Sequence, residues 1–195
     1  MRTLVLGGAR SGKSAWAERE LLSSHGTSTS SPLCYIATAR PWPGDADFEA
    51  RIAAHRSRRQ AHARQFGATW RTLDDADAAT ILAHPTDLGE HPHVLLDDVG
   101  TWITHLMDSH NLWECPRGSV EPLTEPLVEA VRAWPEGSEL VIVSPEVGFG
   151  VIPEHRSGRL FRDEIGLLNQ KLAAACDRVV LVVAGCPMVI KEPLG

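Results

Sequence analysis

Residues 7–14 read Gly7-Gly8-Ala9-Arg10-Ser11-Gly12-Lys13-Ser14, a complete G-x-x-x-x-G-K-[ST] pattern. A short apolar run, residues 3–6, precedes it, and a helix-like stretch, residues 14–22, follows it. This is the strand–loop–helix setting the pattern requires. Glycines let the backbone curl so that successive N–H groups point at phosphate oxygens, and the helix adds its positive end. All eight residues are therefore expected to hold the phosphates of ATP or GTP. Lys13 reaches the β- and γ-phosphates, and the Ser14 hydroxyl meets Mg²⁺.

Working outward, four more apolar runs occupy residues 33–37, 94–96, 140–143 and 179–183. They are rich in Val, Ile and Leu and do not alternate with polar residues. Strands buried on both faces read this way, and such strands belong to parallel sheets covered by helices. Helix-like segments span residues 47–64, 125–134 and 160–176. The alternation predicts a doubly wound α/β fold, one domain over residues 1–195. Residues 25–32, 41–45 and 110–122 carry the Ser, Thr, Pro and Gly of surface connections. The run 94–96 leads into Asp97-Asp98, the shape of a Walker-B strand end. Asp97 comes first after the apolar run and is expected to share Mg²⁺ with Ser14.

Composition narrows the setting. The content is 43% hydrophobic and 23% charged, that of a globular chain with a core. A net charge of -6 gives no support to nucleic-acid binding. No stretch approaches the roughly 20 apolar residues of a membrane span, and Gly7 and Gly8 interrupt the first apolar run too early for a signal peptide. The four cysteines form no C-x-x-C pair or Cys/His cluster. A reducing cytoplasm is the expected compartment.

Further motifs carry a resemblance. They are Tyr35-Ile36-Ala37-Thr38-Ala39, Arg51-Ile52-Ala53-Ala54-His55 with Arg59, and Trp70-Arg71-Thr72. Leu95-Leu96-Asp97 with Thr101, Trp102, Thr104 and Leu106 is another. The most specific are Glu146-Val147-Gly148-Phe149-Gly150 with Pro153-Glu154, and Phe161-Arg162-Asp163 with Gly166 and Asn169-Gln170. Nearly end to end, the chain resembles the bifunctional adenosylcobinamide kinase/adenosylcobinamide-phosphate guanylyltransferase family of cobalamin biosynthesis. It departs from that pattern at Pro145 and His105, where asparagine is usual, and at Asp74 and Asp97, where glutamate is common. The spacing from His55 to Trp70 is also longer.

The resemblance implies a RecA-like P-loop domain and two reactions. A nucleoside triphosphate phosphorylates adenosylcobinamide. GTP then donates GMP to adenosylcobinamide phosphate through a GMP–histidine that maps onto His55. An ordinarily neutral imidazole is a fit nucleophile at pH 7. Arg56, Ser57, Arg58 and Arg59 follow it, and guanidinium groups match phosphate oxygens. By the same transfer Thr38, Ala39 and Arg40 line the nucleotide site, with Asp74 and Asp97 as polar contacts and Asp74 a partner for guanine. The resemblance also implies a homo-oligomer, a trimer. Residues 146–154 read as a Gly-hinged loop at the rim. Two simpler functions share the P-loop: a single-step small-molecule kinase, and a nucleotide switch without an acceptor. A plain kinase has no need of the basic His55 segment.

Overall fold

The computed structural model describes residues 1–25, 32–39 and 46–193. Arg40 and the connections at 26–31 and 41–45 lie outside the described residues. One sheet organises the rest. Its strands are β1 (Arg2–Gly7), β2 (Leu33–Ala37), β3 (Arg71–Leu73), β4 (His93–Asp97), β5 (Glu139–Pro145), β6 (Arg178–Val183) and β7 (Cys186–Lys191). Their order is β3-β2-β4-β5-β1-β6-β7. All pairings are parallel except β6 with β7. The helices are α1 (Lys13–His25), α2 (Ala46–Gln65), α3 (Ala78–Ala83), α4 (Val99–Ser109), α5 (Glu121–Arg132) and α6 (Arg156–Ala175).

The unbroken apolar runs are explained by two cores, one on each face of the sheet. Val5, Tyr35, Leu95, Val141 and Val180 pack with Trp16, Leu21 and Ala63 under α1 and α2. Their sequence neighbours Leu4, Ile36, Leu96, Ile142 and Val179 pack with residues of α3 to α6. Side chains alternate between the faces as a strand's period of two dictates, and both faces are covered.

The five expected strands are present: β2 has the expected bounds, and the other four run one to three residues longer, where ends such as Arg2, His93, Asp97, Glu139 and Arg178 join the ladder. Two others, β3 and β7, carried no sequence signal. β3 has only three residues, none buried, and β7 contains Pro187 and is exposed along most of its length. Helix α5 begins four residues earlier than expected, inside the stretch assigned to a loop. Pro122 sits at the start of the helix, where its missing N–H costs nothing. A 3₁₀ turn, Leu112–Glu114, occupies the same expected loop.

Candidate active site

The cradle lies between the end of β1 and the start of α1. Gly7 is needed on packing grounds: a Cβ there would stand 2.5 Å from Ser11 Oγ and 2.7 Å from the Val182 carbonyl. Gly12 has φ +92, and Arg10 is also left-handed at φ 56. The loop is braced from β6–β7. Gly185, in the tight turn joining those strands, donates its N–H to the Ser11 carbonyl at 2.7 Å. A Cβ on Gly12 would meet Gly185 Cα at 3.2 Å. Lys13 Nζ donates to the Gly8 carbonyl at 3.4 Å, curled over the loop. Gly8, Ala9 and Arg10 are exposed, so the loop presents its outer surface to a ligand.

The carboxylate of Asp97 closes the cradle. Ser14 Oγ donates to Asp97 Oδ1 at 3.1 Å, and the Tyr35 hydroxyl donates to Oδ2 at 2.8 Å. Desolvation, then the neighbouring charge of Asp98, pushes the Asp97 pKa up, while Tyr35, Ser14 and Lys13 draw it down. Burial, then Asp97's charge, raises the Tyr35 phenol and keeps it a donor. Asp98 is used differently. It caps α4, accepting from Thr101 N–H at 2.7 Å. Thr38, buried, donates its hydroxyl to the Asp98 carbonyl at 2.8 Å and accepts from Asp98 N–H at 3.0 Å. Its side chain thus locks the ends of β2 and β4 together, and Ala39 follows it, half-buried.

Helix α2 brings the basic segment to this site. The Arg59 guanidinium lies 3.3 Å from the centre of the Tyr35 ring and is buried there. Burial lowers its pKa against the pull of Tyr35, Glu18 and Asp97, but a guanidinium stays charged. Arg58 comes within 3.9 Å of Glu18 on α1. Desolvation raises the pKa of that buried glutamate, and Arg58 and Arg59 oppose the rise. Arg56 pairs with Asp74 at 2.9 Å, just beyond β3. The expected phosphate-holding arginines are therefore all in contact with protein groups, and Asp74 is engaged by one of them. Arg56 and Arg58 remain exposed, as do His55 and Ser57. His55 lies one turn before Arg59. At 1.5 Å per residue that is about 6 Å further towards the start of α2. Tyr35 is the residue that sequence reasoning passed over as a strand match. The signal was available: a lone tyrosine inside a buried strand needs a partner for its hydroxyl.

The loop after β5 forms the rim. Glu146 N–H donates to the Gly7 carbonyl at 3.0 Å. Arg162 donates to the carbonyls of Gly148, at 2.6 Å, and Gly150, at 3.2 Å. Asn169 donates to the Pro145 carbonyl at 3.0 Å. Asp163 pairs with Arg117 at 2.6 Å. The two most specific motifs are thus one unit, in which α6 holds the rim loop. Phe149, Val151 and Ile152 stand exposed on it.

Fold and cradle define a P-loop nucleotide enzyme, and the wider likeness agrees. An ATPase from the type III secretion system of pathogenic bacteria superposes with a TM-score of 0.50 at 14% identity, over 92% of this chain and half of that one. That likeness concerns the fold alone. The family is more definite: the pattern described as cobinamide kinase / cobinamide phosphate guanyltransferase matches residues 3–190, and the chain belongs to that family. It is 40% identical to the bifunctional adenosylcobalamin biosynthesis protein CobP of Pseudomonas aeruginosa over 196 residues, all of both chains. It is 36% identical to the CobU protein of Escherichia coli, over 98% of this chain and 100% of that one. No helix among the described residues is long and apolar enough to cross a membrane.

Proposed function

We propose that this chain phosphorylates adenosylcobinamide with a nucleoside triphosphate and then guanylylates the product from GTP by way of His55. In the first reaction the aminopropanol oxygen attacks the γ-phosphorus. The bond to the β–γ bridging oxygen breaks, the nucleoside diphosphate leaves, and the hydroxyl proton passes to solvent. In the second, a His55 ring nitrogen attacks the α-phosphorus of GTP and pyrophosphate leaves. A phosphate oxygen of adenosylcobinamide phosphate then takes the GMP and frees the imidazole.

The observation that carries the reading is one line of contacts. It runs from Ser14 through Asp97 and Tyr35 to Arg59, joining the cradle to the helix that bears His55. Lys13 and the residue 7–14 backbone bind the triphosphate. Arg56, Arg58 and Arg59 set the field around the α-phosphate, and Thr38, Ala39, Arg40, Ser57 and Asp74 complete the nucleotide's surroundings. Ser14 and Asp97 suit Mg²⁺, a hard cation that takes few protein oxygens and fills its shell from phosphate and water. Such an ion supplies charge neutralisation on the phosphates. The assembly we read is a trimer, supported by the exposed Met188, Val189 and Ile190 of edge strand β7. Sedimentation of a monomer at working concentration would count against it.

Labelled GTP tests the central step. Wild type takes up α-label and no γ-label, in a bond stable to base and hydrolysed by acid, and adenosylcobinamide phosphate discharges it. His55→Ala loses the label and keeps the kinase step. His62→Ala, whose ring lies edge-on to Phe66 at 5.5 Å in a packing contact, keeps both. A folded His55→Ala protein that still guanylylates its substrate refutes the assignment.

A further inference from the structure

The two reactions ask for different phosphorus atoms from one cradle. Phosphoryl transfer needs the γ-phosphorus to face the acceptor, with the nucleoside at the far end. Guanylylation needs the α-phosphorus to face His55, with pyrophosphate as the leaving group. Lys13 and Ser14 fix the β- and γ-phosphates in either case. The nucleoside must then leave the cradle by different routes, and α1 offers two flanks.

Glu18 marks one flank, turned to Arg58 of α2. The other carries Trp16, Arg19, Glu20 and Ser23, at i, i+3, i+4 and i+7, a single helical stripe. At 100° per residue that stripe lies opposite Glu18. It forms one wall of an open cleft of about 400 Å³, and Gly185 and Pro187 form the other. This volume is in the range of small-molecule sites, about 300–1,000 Å³. Two residues that line the cleft touch the cradle. Gly185 is hydrogen-bonded to Ser11, and Trp16 N–H makes the first helical bond, to the Gly12 carbonyl at 2.9 Å. Arg178 occupies Glu20 and sits 5.7 Å from the Trp16 ring. Arg19 is exposed and has no ion-pair partner among the described residues. The free chemistry of the cleft is therefore one guanidinium, the Pro187 ring, and an edge of indole, which suits a flat heteroaromatic base with a phosphate close by.

We propose that this cleft is the nucleoside subsite of the phosphoryl-transfer step. It takes the base and ribose of the triphosphate whose γ-phosphate goes to the acceptor. The GTP that loads His55 lies along the opposite flank, towards α2. The inference rests on the two-reaction reading above, and the experiment separates the two.

Arg19→Glu and Ser23→Trp alter the exposed side of α1, the first by charge and the second by filling the cleft. The KM of ATP for cobinamide phosphorylation is expected to rise about tenfold or more, as loss of a charge-assisted contact does. The kcat stays within about twofold, since the cradle is untouched. The rate and extent of labelling from α-labelled GTP stay at the wild-type level. A second measurement needs no variant: photolysis of wild type with 8-azido-ATP should mark peptides covering residues 16–23 or 185–187. An unchanged ATP KM in both variants, a parallel loss of both reactions, or a photolabel confined to residues 55–74 overturns the subsite. If wild type neither phosphorylates cobinamide nor takes α-label, the functional reading fails instead. Photolabelling and titration of a non-hydrolysable ATP analogue then still decide the cleft.

Discussion

Tyr35→Phe removes one oxygen and leaves the ring in place. The Arg59 contact at 3.3 Å is with the ring and survives. What is lost is the 2.8 Å hydrogen bond to Asp97 Oδ2. A hydrogen bond to a charged group contributes about 1.5–3 kcal/mol. For a domain of this size each kcal/mol moves Tm by about 2–4 °C, so a fall of roughly 4–8 °C is expected for about 2 kcal/mol. Function should change by a separate route. Asp97 keeps only its Ser14 partner and is less firmly oriented, so the Mg²⁺ concentration for half-maximal turnover rises about tenfold, the equivalent of about 1.4 kcal/mol. Thermal melting without Mg²⁺ and a Mg²⁺ titration of the kinase reaction read the two effects. A Tm within about 1 °C of wild type, together with an unchanged Mg²⁺ requirement, would show that the tyrosine hydroxyl does not hold this carboxylate.

Lys13→Ala should cost both reactions more than about a hundredfold, because each needs the triphosphate charge held in place, and assays of each step check it. His93 is packed edge-on against His25 at 4.9 Å, and burial, with a smaller part from His25 and the terminal amine, pushes its pKa down to about 4. The unfolded chain therefore binds a proton that the folded chain refuses, and stability falls as pH drops from about 6.5 towards 4. The loss is on the order of 2 kcal/mol after a discount for solvent screening, and melting of wild type against His93→Phe over that window should show it. Gly100→Ala would ordinarily favour a helix, by about 1 kcal/mol. Here a Cβ would stand 2.5 Å from Pro145 Cγ, so a net loss of about 1–3 kcal/mol is expected. In a Pro145→Ala background denaturant melts should show the loss disappear.

The sheet was legible because its strands are buried on both faces, which leaves unbroken apolar runs in the sequence. The cradle was legible because phosphate binding by backbone N–H groups demands glycines at fixed positions. β7 was hidden because it is exposed along most of its length, so it has no burial pattern to betray it. The roles of Arg56, Arg58 and Arg59 were only half legible. Sequence shows a basic run near a P-loop, but not that Asp74, Glu18 and Tyr35 stand within reach of it. Those partners come from a different strand end, a different helix and a different strand. Pro145 is a departure from the family pattern that the fold absorbs. It ends β5 beyond Val143, the last residue paired with β4, and its carbonyl is still held by Asn169.

The contact between Gly185 and the loop at Ser11 and Gly12 also sets an order of events. β1 precedes every other strand of its sheet in the chain, yet its sheet neighbours are β5 and β6, and its loop is braced by the turn before β7. More than 170 residues separate Ser11 from that brace. A ribosome-bound chain that has not yet reached Glu139 offers β1 no strand to pair with, and one that has not reached Gly185 leaves the phosphate loop unsupported. Contacts so distant in sequence form late and slow the search for the native state. The loop at residues 7–14 is thus made before the strands that flank and brace it, and it acquires its finished shape only after them.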